Sequence, residues 1–265
     1  MLDFSPFSKY LAEILGTFIL CLLGNGVVAN VILSKTKGEG GSWLLINTAW
    51  GFAVAIAVYS VGWISGAHIN PAVTVGLASI GEFSWALVPG YIMAQVFGGF
   101  LAGIFVYVTY KKHYDSTQDA ATKLGTFSTI PAIRSLGWNT VTEAVGTAVL
   151  LIGILGITSG ATGHPGQIEG DFVTGGVTGG MQPFIIGVLV WAIGMSLGGP
   201  TGYAINPARD LGPRLAHAML PLKDKGSNDW TYGLTAPIIG PLIGGIVGSY
   251  IWMIFASYLT TIMIP

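Results

Sequence analysis

The 265-residue sequence is short of charge. Lys and Arg together number 11 and Asp and Glu number 12, so charged residues make up 9 % of the chain, against about 25 % in a typical soluble domain. Hydrophobic residues make up 52 %. The chain therefore has too few polar side chains to cover a water-soluble globule of its size, and it is too apolar to be disordered. This composition predicts an integral membrane protein.

Other scarce features exclude further classes of protein. The net charge is −1 and the sequence contains no basic cluster, which argues against a nucleic-acid partner. The single cysteine, Cys21, cannot form an intramolecular disulfide. No group of His, Cys, Asp or Glu has metal-ligand spacing, and no nucleophile–base pair or His-Glu-x-x-His motif is present. We therefore expect no metal, no cofactor and no enzymatic activity.

Long apolar runs are abundant. A membrane-spanning helix needs about 20 mostly apolar residues, and six segments are of roughly this kind. They are residues 10–33, 44–64, 85–110, 140–160, 184–199 and 232–259. The sequence thus predicts an all-α, multi-pass protein of the plasma (inner) membrane, with residues 1–265 forming a single membrane domain.

Two further apolar segments are too short to span the membrane. Residues 65–81 and 202–220 are interrupted by glycines and a proline, and each follows a predicted spanning helix directly. Interrupted segments at corresponding places in two halves of a membrane protein indicate re-entrant half-helices that line a site. Non-helical backbone at membrane depth is tolerated only where it is buried or faces a water-filled cavity. A pore or transport site is therefore expected here.

The two halves of the chain repeat each other. Glu13 in Ala-Glu-Ile-Leu-Gly-Thr corresponds to Glu143 in Thr-Glu-Ala-Val-Gly-Thr, and the motif order is kept across residues 1–110 and 139–265, which residues 111–138 link. Three spans in each half are an odd number, so the halves must have opposite orientations in the membrane. This inverted repeat predicts a functional site at the membrane midplane, where the halves meet.

Each interrupted segment contains Asn-Pro-Ala. One copy alone indicates no more than a helix start, since Asn is a favoured N-cap and Pro a favoured first helical residue. Two copies in a duplicated membrane chain are more specific: Asn70-Pro71-Ala72 and Asn206-Pro207-Ala208. Each capping Asn would leave its side-chain NH2 free to donate into a lumen. The positive ends of the two half-helices would oppose cations and proton hopping along a file of water.

With these motifs the sequence resembles the major intrinsic protein family, which contains the aquaporins and glycerol facilitators, over nearly its whole length. Residues 65–74, Ser-Gly-Ala-His-Ile-Asn-Pro-Ala-Val-Thr, are similar to the family signature. Residues 202–210, Gly-Tyr-Ala-Ile-Asn-Pro-Ala-Arg-Asp, resemble the glycerol-conducting branch, in which Asp follows Arg. The resemblance implies six spanning helices and two half-helices in a right-handed bundle. It also implies a homotetramer with one pore in each subunit.

The resemblance places the narrow selectivity filter on Trp50, Gly194, Tyr203 and Arg209. Gly194 would leave room that a His fills in a strict water channel, Trp50 and Tyr203 would form an apolar corner, and Arg209 would donate to hydroxyls. Position 203 is Tyr in this sequence, whereas the familiar glycerol facilitator has Phe at the corresponding position. Two alternatives remain at this point: an arginine that only ties down loop carbonyls, and a tryptophan that anchors the chain at the membrane interface.

Further residues would support the pore. An isolated carboxylate in lipid is costly, so Glu13 and Glu143 are expected to face inward and accept backbone N–H groups of the two re-entrant loops. Asp210 is expected to brace a loop. The family analogy adds a ladder of backbone carbonyl acceptors: Gly66, Ala67, His68, Gly202, Tyr203 and Ala204.

The function implied is a passive channel for glycerol and other small uncharged polyols that also admits water and excludes ions and protons. Dihydroxyacetone, urea, hydrogen peroxide and undissociated lactic acid are further expected permeants, and membrane lipids are the surrounding partners. Two alternatives stay open. A water-selective aquaporin is disfavoured by Gly194 and Asp210, and a gradient-coupled secondary transporter is disfavoured by the scarcity of intramembrane ionisable residues.

Overall fold

The computed structural model describes residues 4–159 and 177–263. These residues are helical or irregular and contain no β-strand. The helices, in chain order, are α1 (Pro6–Ile32), α2 (Trp43–Ser65), α3 (Pro71–Ser79), α4 (Val88–Ser116), α5 (Ala120–Gly125), α6 (Leu136–Ser159), α7 (Val177–Leu197), α8 (Pro207–Met219), α9 (Trp230–Gly233) and α10 (Ala236–Met263).

Six of the described helices are long and apolar enough to cross a membrane, with mean hydropathy between 1.7 and 1.9. Their outward faces carry exposed large apolar side chains such as Phe97, Val108 and Ile254, as expected for surfaces that meet lipid. The prediction of an all-α bundle with six spans is confirmed. The chain is a multi-pass protein of the plasma membrane.

Several predicted boundaries differ from the observed ones. The fifth spanning helix is α7. It begins at Val177, before the predicted residue 184, and carries Pro183 inside it. The sixth span is preceded by the separate short helix α9, and α10 begins at Ala236. The fourth spanning helix, α6, begins at Leu136, before the predicted residue 140. Its predicted end at residue 160 lies outside the described residues. The early start of α7 is possible because proline is tolerated within a membrane helix that neighbouring helices support.

The segment predicted as the linker, residues 111–138, is largely structured. Helix α4 runs on to Ser116 after a kink at Tyr110, where φ is −105° and ψ is 16°. Lys111 and Asp115 form an ion pair across one helical turn, which supports this extension. Helix α5 and the start of α6 occupy much of the remainder.

The two halves follow the same order of elements and interlock. Helix α1 packs along α2 and α4, and α6 packs along α7 and α10. Each half-helix packs mainly against a long helix of the other half: α3 against α10, and α8 against α4. The N-termini of α3 and α8 are thereby brought together inside the bundle.

Two Gly-Gly pairs make this interlocking possible. A Cβ at Gly98 would meet the carbonyl oxygen of Ile14 in α1, and one at Gly244 would meet that of Ala144 in α6. The second glycine of each pair faces the half-helix of the opposite half. A Cβ at position 99 would lie 2.7 Å from the Ala208 oxygen, and one at position 245 would lie 2.6 Å from the Ala72 oxygen. Small residues allow such close backbone approach between membrane helices.

Replacement of Gly244 by alanine tests this packing. The added methyl group would collide with backbone of α6, and overpacking of this kind costs about 1–3 kcal/mol. We expect Gly244→Ala to lower the thermal unfolding temperature in detergent. The matched control is Gly26→Ala in α1, where a Cβ has no atom within 4 Å and alanine favours the helix. Equal unfolding temperatures for the two variants would contradict the proposed packing constraint.

Candidate functional pore

The site begins at the N-termini of the two half-helices, each capped by asparagine. The Asn70 Oδ1 accepts from the Ala72 N–H at 2.8 Å. The Asn206 Oδ1 accepts from the N–H groups of Ala208 at 3.0 Å and Arg209 at 3.2 Å. Proline follows each cap and needs no hydrogen-bond acceptor at the first helical position. Asn-Pro-Ala is therefore a helix start in both copies.

The same two asparagines join the halves of the protein. The Asn70 Nδ2 donates to the Ile205 carbonyl oxygen at 2.9 Å, and the Asn206 Nδ2 donates to the Ile69 carbonyl oxygen at 2.8 Å. An amide NH2 carries two hydrogens, so one is used between the loops and the other is left. This corrects the expectation that the whole NH2 group would be free.

The loops that precede the caps are strained in the same way in both halves. Non-glycine residues with positive φ are uncommon, and for a β-branched residue such a φ is a genuine outlier. The two loops nevertheless adopt it at Ala67 (48°), Ile69 (44°), Tyr203 (36°) and Ile205 (42°). Each such residue costs about 1–3 kcal/mol and persists only where its surroundings hold it. The loops therefore need strong local anchors.

Glu13 supplies the anchor in the first half. Its Oε1 accepts from the His68 N–H at 3.0 Å and the Ser65 hydroxyl at 2.7 Å. Its Oε2 accepts from the Ile69 N–H at 2.6 Å and the Gln95 amide at 2.7 Å. The carboxylate is fully buried, and these four donors replace the water that it has lost.

Glu143 occupies the equivalent place in the second half. Its Oε1 accepts from the Ala204 N–H at 3.0 Å, and its Oε2 accepts from the Ile205 N–H at 2.7 Å. Like Glu13, it lies on the first helix of its half and is buried. Both glutamates thus contact the loop residue that has a positive φ and comes directly before the capping asparagine.

A cavity of about 650 Å³ passes this junction. Both capping asparagines line it, and so do Trp50, Tyr203 and Arg209 of the expected filter. Of the expected carbonyl-bearing residues, five line the cavity and one does not. The five are Gly66, Ala67, His68, Tyr203 and Ala204, and Gly202 is outside the lining.

Arg209 and Trp50, two residues of the expected filter, face each other. The guanidinium carbon of Arg209 lies 4.2 Å from the centroid of the Trp50 ring, a distance at which a cation and an aromatic face attract. The Trp50 ring lies where a Cβ at Gly24 would be, so the absence of a side chain on α1 makes room for it. Trp50 is buried within the bundle and does not anchor the chain at the membrane interface.

Tyr203 fills the space beside Gly194. A Cβ at Gly194 would lie 2.7 Å from Cζ of the Tyr203 ring, and a Cβ at Gly198 would also collide with this ring. Trp43 contacts the ring edge-on, with the centroids 5.9 Å apart. The room expected at Gly194 is therefore occupied by an aromatic ring. Sequence reasoning missed Gly198, although two glycines one helical turn apart are a recognisable signal for close packing.

Asp210 lies outside the cavity lining and points into a buried network. It accepts from the Thr129 N–H at 2.7 Å and from the Thr129 hydroxyl at 2.6 Å. It also pairs with Arg214 at 2.8 Å, with both side chains fully buried. Arg214 in turn donates to the carbonyl oxygens of Thr129 and Asn228. Arg214 was missed, although an arginine four residues after an aspartate in an apolar segment indicates such a pair.

Comparison with known proteins agrees with this geometry. A family model described as "Major intrinsic protein" matches residues 2–252. The chain belongs to the major intrinsic protein family.

Individual relatives cover almost the whole chain. A "Probable glycerol uptake facilitator protein" of Thermotoga maritima is 54 % identical over 93 % of this chain and 99 % of its own length. A "Glycerol uptake facilitator protein 3" of Lactiplantibacillus plantarum is 48 % identical over 92 % and 95 %, respectively. The solved aquaglyceroporin structure from Plasmodium falciparum superposes with a TM-score of 0.82 at 29 % identity, covering 97 % of this chain and 100 % of that one.

Removal of one anchoring charge tests the role of the glutamates. In Glu13→Gln an amide NH2 would face groups that are themselves donors, and each buried donor left unpaired costs about 1–3 kcal/mol. We expect a lower thermal unfolding temperature in detergent than for the wild type. The control is Glu82→Gln, since Glu82 is exposed. An unchanged unfolding temperature in Glu13→Gln would show that the loop does not depend on the carboxylate.

Proposed function

We propose that the protein is a passive channel for glycerol and other small uncharged polyols, that water shares the path, and that ions and protons are excluded. The observation that carries this proposal is that both capping asparagines and Trp50, Tyr203 and Arg209 line one and the same cavity. The names of the relatives from Thermotoga maritima and Lactiplantibacillus plantarum support glycerol as the solute. No chemical step is required of any residue.

The filter recognises a polyol by its two different edges. The Arg209 guanidinium donates hydrogen bonds to hydroxyl groups. The rings of Trp50 and Tyr203 offer an apolar surface to the carbon backbone. In the re-entrant loops, backbone carbonyls accept from hydroxyls as they advance, and the remaining N–H of Asn70 and Asn206 donates. A solute with hydroxyls along one edge and C–H groups along the other satisfies both walls.

The same groups exclude cations. The N-termini of α3 and α8 carry partial positive charge, and they face the lumen together near its middle. Arg209 adds a full positive charge at the filter. Water in single file must reverse its orientation where the two asparagines donate, which interrupts proton hopping.

We also propose that four copies assemble in the membrane, each with its own pore. This follows from family membership, and the exposed apolar side chains on the outer faces of α1, α2, α6 and α7 provide surface for contacts with lipids and with neighbouring copies. Conduction itself needs one chain only, because one chain supplies every group in the filter.

Stopped-flow light scattering on proteoliposomes tests the function. We expect glycerol and water fluxes well above those of protein-free vesicles, glycerol flux that does not saturate, and no dependence on a proton or sodium gradient. Water flux without glycerol flux would identify a water-selective channel instead. Saturating or gradient-dependent glycerol uptake would identify a secondary transporter.

Removal of the Tyr203 hydroxyl tests the filter. The Tyr203 hydroxyl is buried behind the ring, so its removal frees space there and lets the ring yield to the carbon backbone of glycerol, which is wider than water. We expect Tyr203→Phe to raise the glycerol-to-water permeability ratio by about two- to tenfold, the equivalent of one net hydrogen bond. The control is Tyr250→Phe, since Tyr250 is exposed on α10 and outside the cavity lining. Equal ratios in wild type and Tyr203→Phe would remove this hydroxyl as a determinant of selectivity.

A further inference from the structure

Two buried polar side chains beside the filter lack protein partners. The amide oxygen and nitrogen of Asn47 and the hydroxyl of Tyr203 are all inaccessible to solvent, and none has a hydrogen bond to the part of the chain that the structure describes. Asn47 is 0 % exposed and Tyr203 is 4 % exposed. A buried polar group left unpaired costs about 1–3 kcal/mol, so three such atoms at one place require an explanation.

The two side chains are neighbours across Gly194. The position of a Cβ at Gly194 lies 2.5 Å from the Asn47 Oδ1 and 2.7 Å from the Tyr203 Cζ, the ring carbon that carries the hydroxyl. Asn47 lies on α2, one helical turn before Trp50. The absence of a side chain at Gly194 is thus what lets the amide approach the phenol ring.

Their hydrogen-bonding capacities are complementary to a single hydroxyl-bearing molecule. The Asn47 amide offers donors and an acceptor, and the Tyr203 hydroxyl can donate or accept. Buried waters typically make about three hydrogen bonds to polar groups that would otherwise be unsatisfied. One water between the amide and the phenol would satisfy groups on both side chains.

We propose that Asn47, Gly194 and Tyr203 form a niche that holds one water molecule, and that Asn47 thereby determines selectivity without contacting the solute. Asn47 is outside the cavity lining, whereas Tyr203 belongs to it, so Asn47 is a positioning residue. The water fixes the Tyr203 hydroxyl, which is itself inaccessible to solvent, and so holds the Tyr203 ring in its place in the cavity wall. A ring held in this position sets the width of the filter, and its release widens the passage for the carbon backbone of a polyol. This inference rests on the proposed function.

A pair of substitutions tests the niche. Asn47→Leu keeps the shape of the side chain and removes its hydrogen-bonding groups. We expect it to raise the glycerol-to-water permeability ratio in proteoliposomes by about two- to tenfold, as one net hydrogen bond would. The double variant Asn47→Leu with Tyr203→Phe should have a ratio no higher than that of the stronger single variant, because both remove the same bridge. A ratio unchanged by Asn47→Leu, or effects that multiply in the double variant, would overturn the proposal.

Two controls separate this role from a structural one. Thr48→Val is also a polar-to-apolar change of equal shape on α2. The Thr48 hydroxyl donates to the Leu44 carbonyl oxygen within the helix, so this variant should keep the wild-type glycerol-to-water permeability ratio. Asn47→Ser retains a hydroxyl that can bind the water and should lie closer to the wild type than Asn47→Leu does. A ratio in Asn47→Ser equal to that in Asn47→Leu would count against a hydrogen-bonded water.

A measurement without transport separates failure of the niche from failure of the proposed function. Thermal unfolding of the four proteins in the cycle should show coupling between Asn47 and Tyr203, since a shared water links them. Wild-type vesicles that conduct no glycerol would refute the proposed function, and the unfolding cycle would still decide on the niche. Additive unfolding shifts would overturn the niche even if the channel conducts glycerol.

Discussion

The pore depends on a reciprocal pair of hydrogen bonds between the two halves of the chain. Asn70 donates to the loop before Asn206, and Asn206 donates to the loop before Asn70. Each loop is strained at the residue whose carbonyl accepts this bond, and a buried glutamate holds the N–H of that same residue. In each half, the capping asparagine, the strained loop residue and the anchoring glutamate therefore form one unit. Each unit is completed by a hydrogen bond from the asparagine of the other half.

Packing of backbone against backbone brings these units together. Gly99 and Gly245 let each half-helix approach a long helix of the opposite half, and Gly98 and Gly244 bring those long helices against the helices that carry the anchoring glutamates. Hydrophobic attraction provides little drive between helices in lipid, so close contact and interhelical hydrogen bonds have to suffice. The abundance of glycine, 40 residues in all, reflects this need.

Much of the architecture could be predicted from the sequence because its signals are local. Apolar runs give the six spans, and Asn followed by Pro gives the starts of α3 and α8. The φ values of Ile69 and Ile205 could not be predicted, because isoleucine disfavours this conformation and adopts it here only through distant contacts with Glu13 and Glu143. The position of the Tyr203 ring could not be predicted either, because the ring contacts residues far from it in sequence, such as Trp43. Length and pattern could not predict that Pro183 would lie inside a helix.

The seat of Tyr203 limits how this channel can diversify. The ring rests on Gly194 of α7 and on Gly198, which directly follows that helix, with Trp43 of α2 at its edge. A larger residue at either glycine would expel the ring, and a smaller residue at position 203 would leave the glycines facing a void. The aperture can therefore be remodelled only by concerted replacement of residues on separate segments. Relatives with a different solute preference should therefore differ at positions 194, 198 and 203 together.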